Sequence, residues 1–281
     1  ENGYCTNCGT FVYPFAIGEN RYTDLEAALT AAQEGDTVTL RGDYDMQGAA
    51  VEITKSITLE LNGHTLSSWP YAPILTILAP DVTIQNGTVK NTDTSKSSRA
   101  VEVGSLSTTG ATLTVKDAIF EGSESNGNPR NYGLSIFAGN TAQVESGTFT
   151  GGISVNGSLT LSGGKADHIY VGTGVTYASL LAKGYAYQVS GQLVKPEDMA
   201  DGIAVEVVKC GHPDGLTDTE ACAYCGLKCA HPGIDSTTGN CTVCGLFQAT
   251  ASLAAGGTTT YFSDFSAAVD AAKAATGSTL T

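Results

Sequence analysis

The sequence predicts an all-β solenoid, and three observations carry that prediction. Short runs that alternate an apolar residue with Thr or another polar residue recur along residues 37–161, the period of a half-buried strand. Gly-bearing turns follow several of these runs, and the chain holds 34 Gly with only 15% charged residues. That composition suits short strands and tight turns better than a helical bundle. Finally, Leu61, Ile84, Val115, Val144 and Leu161 align with steps of 23, 31, 29 and 17 residues, the spacing of successive coils whose longer steps carry loops.

Taken in order, Thr23 to Gly35 reads as an amphipathic helix capping the coil. Thr23 and Glu26 form a capping box, Leu25, Ala28, Leu29 and Ala32 share a face, and Gly35 ends it. The strand runs are Thr37–Leu40, Ile57–Leu61, Val82–Ile84, Ala111–Val115, Ala142–Val144 and Leu159–Leu161. Phrases such as Leu61-Asn62-Gly63-His64-Thr65-Leu66 and Ile84-Gln85-Asn86-Gly87-Thr88-Val89 predict a turn and a second short strand after the first. Ile153–Val155 and Ile169–Val171 suggest further rungs, Tyr177–Ala182 a short helix, Tyr185–Val194 a closing hairpin, and Pro196–Met199 a helical turn. This stretch is expected to cover the open end of the coil, which otherwise exposes unpaired strand groups.

Beyond residue 209 the pattern changes. Cys210-Gly-His212 is followed after nine residues by Cys222-Ala-Tyr-Cys225, and Cys229-Ala-His231 after nine more by Cys241-Thr-Val-Cys244. A disulfide has no use for a His two residues after a Cys, whereas Cys, His, Cys, Cys is a complete tetrahedral set for zinc. A 19-residue unit is also too small to build its own core. Two structural zinc sites are therefore expected, Cys210, His212, Cys222 and Cys225 in one and Cys229, His231, Cys241 and Cys244 in the other, each contributing on the order of 10 kcal/mol to folding. Disulfides and redox chemistry are the competing readings, and exchange of ligands between the tandem modules stays open.

The same signature brackets the rest of the chain. Gly3 to Gly9 matches Gly239 to Gly245 at an offset of 236, which leaves Cys5 and Cys8 as half a site. Tyr22 to Ala28 matches Phe262 to Ala268 at an offset of 240, and Gly35-Asp36-Thr37-Val38-Thr39 meets Gly277-Ser278-Thr279-Leu280-Thr281. The expected organisation is a truncated zinc module at 1–9, the coiled body at 10–209, tandem zinc modules at 210–245, and at 246–281 the start of a further repeat in a longer modular array.

The predicted helix, the Leu-Asn-Gly-His-Thr-Leu phrase at 61–66 and Val-Thr-Ile-Gln-Asn-Gly-Thr at 82–88 resemble pectate-lyase-like right-handed parallel β-helices. Together with the Cys-x-His…Cys-x-x-Cys-Gly modules and Leu181-Ala-Lys-Gly-Tyr-Ala-Tyr187, the chain resembles the repeat units of large secreted surface proteins of Gram-positive anaerobes. The resemblance covers nearly the whole chain and implies an extracellular or cell-surface location. It is specific for architecture and weak for activity, since this fold hosts lyases, hydrolases, adhesins and stalks alike.

Other classes of function find little in the residues. A net charge of −14, from 28 acidic and 14 basic residues, argues against nucleic acid and anionic membranes. No apolar run approaches a membrane span, and no signal peptide is present in these residues. The outward columns flanking the aligned residues offer no adjacent carboxylate pair for glycoside hydrolysis, and Lys116 beside Glu145 reads as a surface ion pair. Asp43 with Asp45, Asp117 with Glu121, and Asp167-His168 read as turn or solvated residues, and His64 shows no partner at matched spacing. No nucleophile motif, phosphate loop or cofactor fingerprint is found.

A non-catalytic structural or adhesive module is the expected function, with a lyase or glycoside hydrolase acting on a complex glycan as the alternative. The long steps insert polar segments at Asn91–Arg99 and Gly122–Tyr132. With Trp69 and Tyr71 in one connection and Arg130 and Tyr132 in another, these could wall a groove for a glycan or a host or matrix ligand. The competing reading is that Trp69 packs on the flank and the loops are inert. Neighbouring repeats of the same chain are the other expected partners.

Overall fold

The computed structural model describes residues 12–93, 98–123, 131–213, 216–217, 220–228, 230, 233–242 and 248–281. The chain divides into two compact units, Glu1–Lys209 and Cys210–Thr281.

The first unit is mostly β, and its strands are predominantly parallel. Along the chain they alternate between two sheets. Thr58–Glu60 and Thr65–Ser68 lie in the larger sheet, Leu75–Ile77 in the smaller, Val82–Asn91 in the larger, Val101–Val103 in the smaller, Thr112–Glu121 in the larger, and so on to Ile169–Val171. Register is set by burial, because a one-residue slip would turn every apolar side chain outward. In the larger sheet Val38, Leu59, Ile84, Val115, Val144 and Leu161 stack in one inward column. Leu66, Val89, Phe120, Phe149 and Ala166 form another. The smaller sheet stacks Val51, Leu75, Val101, Leu134, Ile153 and Ile169. Residues of all three columns join one hydrophobic cluster, in which Phe120 and Phe149 meet edge to face with centroids 5.6 Å apart.

This register corrects one alignment made from sequence: Leu59, not Leu61, pairs with Ile84. The displacement of two residues is absorbed just afterwards. Asn62 and Gly63 adopt φ of 54° and 79°, and the His64 N–H donates to the Leu61 carbonyl to close a tight turn. Thr65 then rejoins the ladder opposite Thr88. The turn expected after Ile84 does not interrupt the strand, because Val82–Asn91 runs as a continuous ten-residue strand, as Thr112–Glu121 does. The chain bends within them at Asn86 and Asp117, where φ is 58° and 46°. Short polar residues tolerate that left-handed conformation.

The helix is shorter than its pattern suggests, Leu25–Ala31, and Asp24 caps it in place of Thr23. The Asp24 carboxylate accepts the Ala27 N–H at 2.7 Å while the Thr23 hydroxyl donates to the other carboxylate oxygen. A charged acceptor at a helix N-terminus outcompetes a neutral hydroxyl. At the other end the Lys55 ammonium donates to the carbonyls of Leu29, Thr30 and Ala32 at 2.9, 2.8 and 2.7 Å. A lysine 23 residues beyond Ala32 thus satisfies carbonyls the helix leaves open.

After Ile169–Val171 come a short helix Tyr177–Leu180, a hairpin Tyr185–Val189 and Gln192–Val194, and a 3-10 turn Pro196–Asp198. The strand Val205–Lys209 pairs antiparallel with Lys165–Ala166 and with Tyr185–Val189, so the parallel order of the larger sheet ends there. Buried Tyr187 locks this end, its hydroxyl donating to the Tyr177 carbonyl at 2.8 Å.

Candidate metal centre

The second unit begins at the metal-type motif, and each ligand is placed by local backbone chemistry. His212 adopts φ of 49°, and its N–H donates to the Cys210 sulfur at 3.4 Å, so the two side chains of Cys-x-His face one point. Cys222 and Cys225 sit on a tight turn, closed by Gly226 at φ 71° with its N–H donating to the Cys222 carbonyl at 2.8 Å. Glycine takes that conformation without the Cβ penalty.

The four ligand atoms of Cys210, His212, Cys222 and Cys225 all lie within 4.8 Å of one another. Cys210 Sγ and Cys222 Sγ are 3.8 Å apart, and Cys225 Sγ lies 3.5 Å from His212 Nδ1. A tetrahedral metal with metal–sulfur bonds of about 2.3 Å needs ligand separations of about 3.8 Å. The pairs fit that requirement. A disulfide needs sulfurs about 2.0 Å apart, and these cysteines are free.

The thiols differ in acidity. Burial opposes ionisation of Cys222, but the His212 ring and the backbone N–H groups of Tyr224 and Cys225 together bring it down to about 7. Burial pushes Cys225 up to about 12, with the sulfurs of Cys210 and Cys222 adding to the effect. Cys210 is raised too, by burial first. A dication placed among them reverses this order, since a coordinating thiol is deprotonated outright. The cluster can therefore hold a metal through three sulfurs and one ring nitrogen, with no protein-derived gap in a closed tetrahedral set.

Of the second expected ligand set, Cys241 is buried, while Cys229, His231 and Cys244 lie outside the described residues, as do Cys5 and Cys8. Among the described residues one cluster of metal-ligating type is formed.

The expected binding residues fall in the connections that leave the larger sheet. Trp69 is 53% exposed, yet one edge of its ring lies on Gly48, where an added Cβ would come within 2.9 Å of it. Tyr71 is 71% exposed. The Tyr132 ring meets His168 with centroids 5.8 Å apart, and Arg130 lies outside the described residues. The roots of the three connections are tied together. Ser98 Oγ donates to the Pro70 and Ala72 carbonyls, the Ser123 N–H donates to the Ser98 carbonyl, and the Ala100 N–H donates to the Tyr132 carbonyl. They therefore leave the sheet on one side.

Other residues singled out from sequence have structural partners. Lys116 and Glu145 pair at 3.1 Å, and Glu121 pairs with Lys90 at 2.6 Å. The Asp45 carboxylate accepts the Gln47 N–H, and the Asp167 carboxylate accepts the Gly151 N–H. His64, expected to lack a partner, lies 3.6 Å from Asp43, whose carboxylate also accepts the Thr65 N–H. Sequence spacing concealed the pair because the fold brings the two together across neighbouring strands. Along the described ladders no two carboxylates stand directly opposite each other. Comparison with family models, with curated proteins and with solved structures returned no match.

Proposed function

We propose that the chain is a non-catalytic structural and adhesive repeat of a bacterial cell-surface protein: a right-handed parallel β-helix joined to its neighbours by zinc-stapled modules. The observation that carries this reading is a structural duplication on either side of the metal-ligand motifs. A hairpin, helix and strand at Phe15–Leu40 recur at Ala251–Leu280. Phe15 pairs with Tyr22 in the first and Ala251 with Phe262 in the second, which reproduces the sequence offsets of 236 and 240. Asp24 caps the first helix through the Ala27 N–H, and Asp264 caps the second through the Ala267 N–H at 2.9 Å. Recurrence of strand register and cap together is what a repeat architecture requires.

Zinc is the metal proposed for Cys210, His212, Cys222 and Cys225, because three thiolates and an imidazole in a closed tetrahedron suit that ion and leave no coordination position for substrate. The parallel strands that alternate between two sheets support the β-helix. No helix among the described residues is long and apolar enough to cross a membrane, and the extracellular setting is proposed from the sequence resemblance alone. The connections carrying Trp69, Tyr71 and Tyr132 are proposed to contact glycans through the exposed rings of Trp69 and Tyr71, with Tyr132 half-buried against His168. Two assays test this function. On a glycan array the wild-type chain should give signal that Trp69→Ala reduces, and unchanged signal in the variant removes the groove. A panel of pectins, uronates and host glycans should yield no unsaturated or reducing sugar. Release of either overturns the non-catalytic reading in favour of a lyase or hydrolase.

A further inference from the structure

The two copies of the hairpin–helix–strand unit differ in one respect that the shared backbone makes legible. In the first, Leu25 is 1% exposed and Val38 is buried; in the second, the equivalent Phe265 is 60% exposed and Leu280 is only half-buried. The frame around them is the same. Ala28 and Ala268 are both fully buried, and the ladder joining the last strand to the hairpin keeps its register. The first copy pairs Phe15 with Leu40 and Ala16 with Thr39, and extending that register by one residue gives Ile17 opposite Val38, the counterpart of the observed Leu253 opposite Leu280.

The first copy shows what covers that face. Strand Val51–Ile53 packs on the helix. The next residues then clasp its far end: Lys55 on the helix carbonyls, the Ser56 N–H donating to the Glu34 carboxylate, and the Gly35 N–H donating to the Ser56 carbonyl. Thr58–Glu60 completes the cover by pairing parallel with Thr37–Thr39. In the second copy the matching edge, Thr279–Leu280, pairs on one side only among the described residues. The helix therefore carries an exposed apolar side chain and the strand after it an open edge, and an open edge is a template for a further strand.

We propose that the face formed by Phe265, Leu280 and the open edge of Thr279–Leu280 is a docking surface for a parallel β coil with the pattern of residues 51–61. That pattern is an apolar strand for the helix face, a lysine for the helix end, and an alternating Ile-Thr-Leu-Glu-Leu strand for the edge. The surface is thus an acceptor for the first coil of another repeat. The inference rests on the repeat reading proposed above and adds to it the identity of the joint.

The test extends the full chain. Thr281 stands where Thr39 stands in the first copy, so residues 40–69 are appended directly after it. Amide hydrogen exchange is compared with and without the extension. The expected result is that exchange of Thr279, Leu280 and the helix Phe265–Ala274 slows, by about tenfold for each 1.4 kcal/mol of docking energy. The same extension carrying Leu59→Asp in its copy of that residue should give no protection. Unchanged exchange with the native extension overturns the proposal, as does equal protection from both extensions. If the unextended chain already protects these amides and is dimeric, the occupant is a second copy and the coil assignment is wrong. Metal content measured on the same samples separates the two claims, since loss of the zinc reading leaves the exchange result intact and the reverse holds too.

Discussion

Asn140 is buried, and its amide is used in full. Its oxygen accepts the Ala111 N–H at 3.0 Å, and its nitrogen donates to the carbonyls of Thr108, Phe137 and Ala138. One side chain thereby ties the 104–111 connection to the turn that follows the strand Leu134–Ile136. Replacing it with Leu orphans a buried N–H and a carbonyl, each costing about 1–3 kcal/mol. Asn140→Leu should lower the denaturant midpoint of the first unit accordingly, and an unchanged midpoint would show that the connection is held by other groups. Lys55→Met keeps the aliphatic stem but removes the ammonium from three helix carbonyls, and should cost roughly 2 kcal/mol by the same measurement. Neither role was legible in the sequence, because Gly-Asn-Thr reads as a turn and a lone Lys reads as a solvated charge. The cluster of Cys210, His212, Cys222 and Cys225 was legible, since each half of it depends on a spacing of two or three residues that tertiary structure does not alter. His64 shows the opposite case: its partner Asp43 becomes visible only once strands are laid side by side.

The elements divide in the same way. Alternation of apolar residues and threonine located the strands of the larger sheet, because the inward column is nearly pure Val, Leu and Ile and tolerates no slip. The alignment failed only at Leu61, where two strands share the same apolar pattern and the Asn62-Gly63 turn adds residues without breaking it. Capping was misassigned by one residue, since Thr23 and Asp24 both satisfy the sequence rule and only geometry selects the stronger acceptor. Asp24→Ala should destabilise the first unit by about 1 kcal/mol. The matching Asp264→Ala should speed amide exchange in the helix Phe265–Ala274 and leave the first unit's unfolding midpoint unchanged. Equal effects of both variants on that midpoint would contradict the independence of the two copies.

For the molecule as a whole, metal binding is proposed to be a folding event of the second unit, while the first unit rests on its apolar columns. Chelation should then unfold or loosen residues 210–242 while the parallel sheets keep their far-ultraviolet signal. Acid acts in the same direction as a chelator. Cys210 and Cys225 are pushed up and enter binding as thiols at neutral pH, so each yields a proton to make its metal bond. Protons released on binding mean that lowering pH weakens it, and apparent affinity should fall steadily from about pH 8 to pH 6. Calorimetry in buffers of different ionisation enthalpy reads this directly, and a pH-independent affinity would refute thiolate ligation. Whether Cys210, His212, Cys222 and Cys225 hold zinc is decided by the metal content of the purified chain and of Cys210→Ser. Bound zinc is expected in the native chain, with a loss of one equivalent in the variant and cysteines shielded from alkylation until a chelator is added. A chain without zinc whose cysteines are alkylated at once, or are found oxidised in pairs, would contradict it.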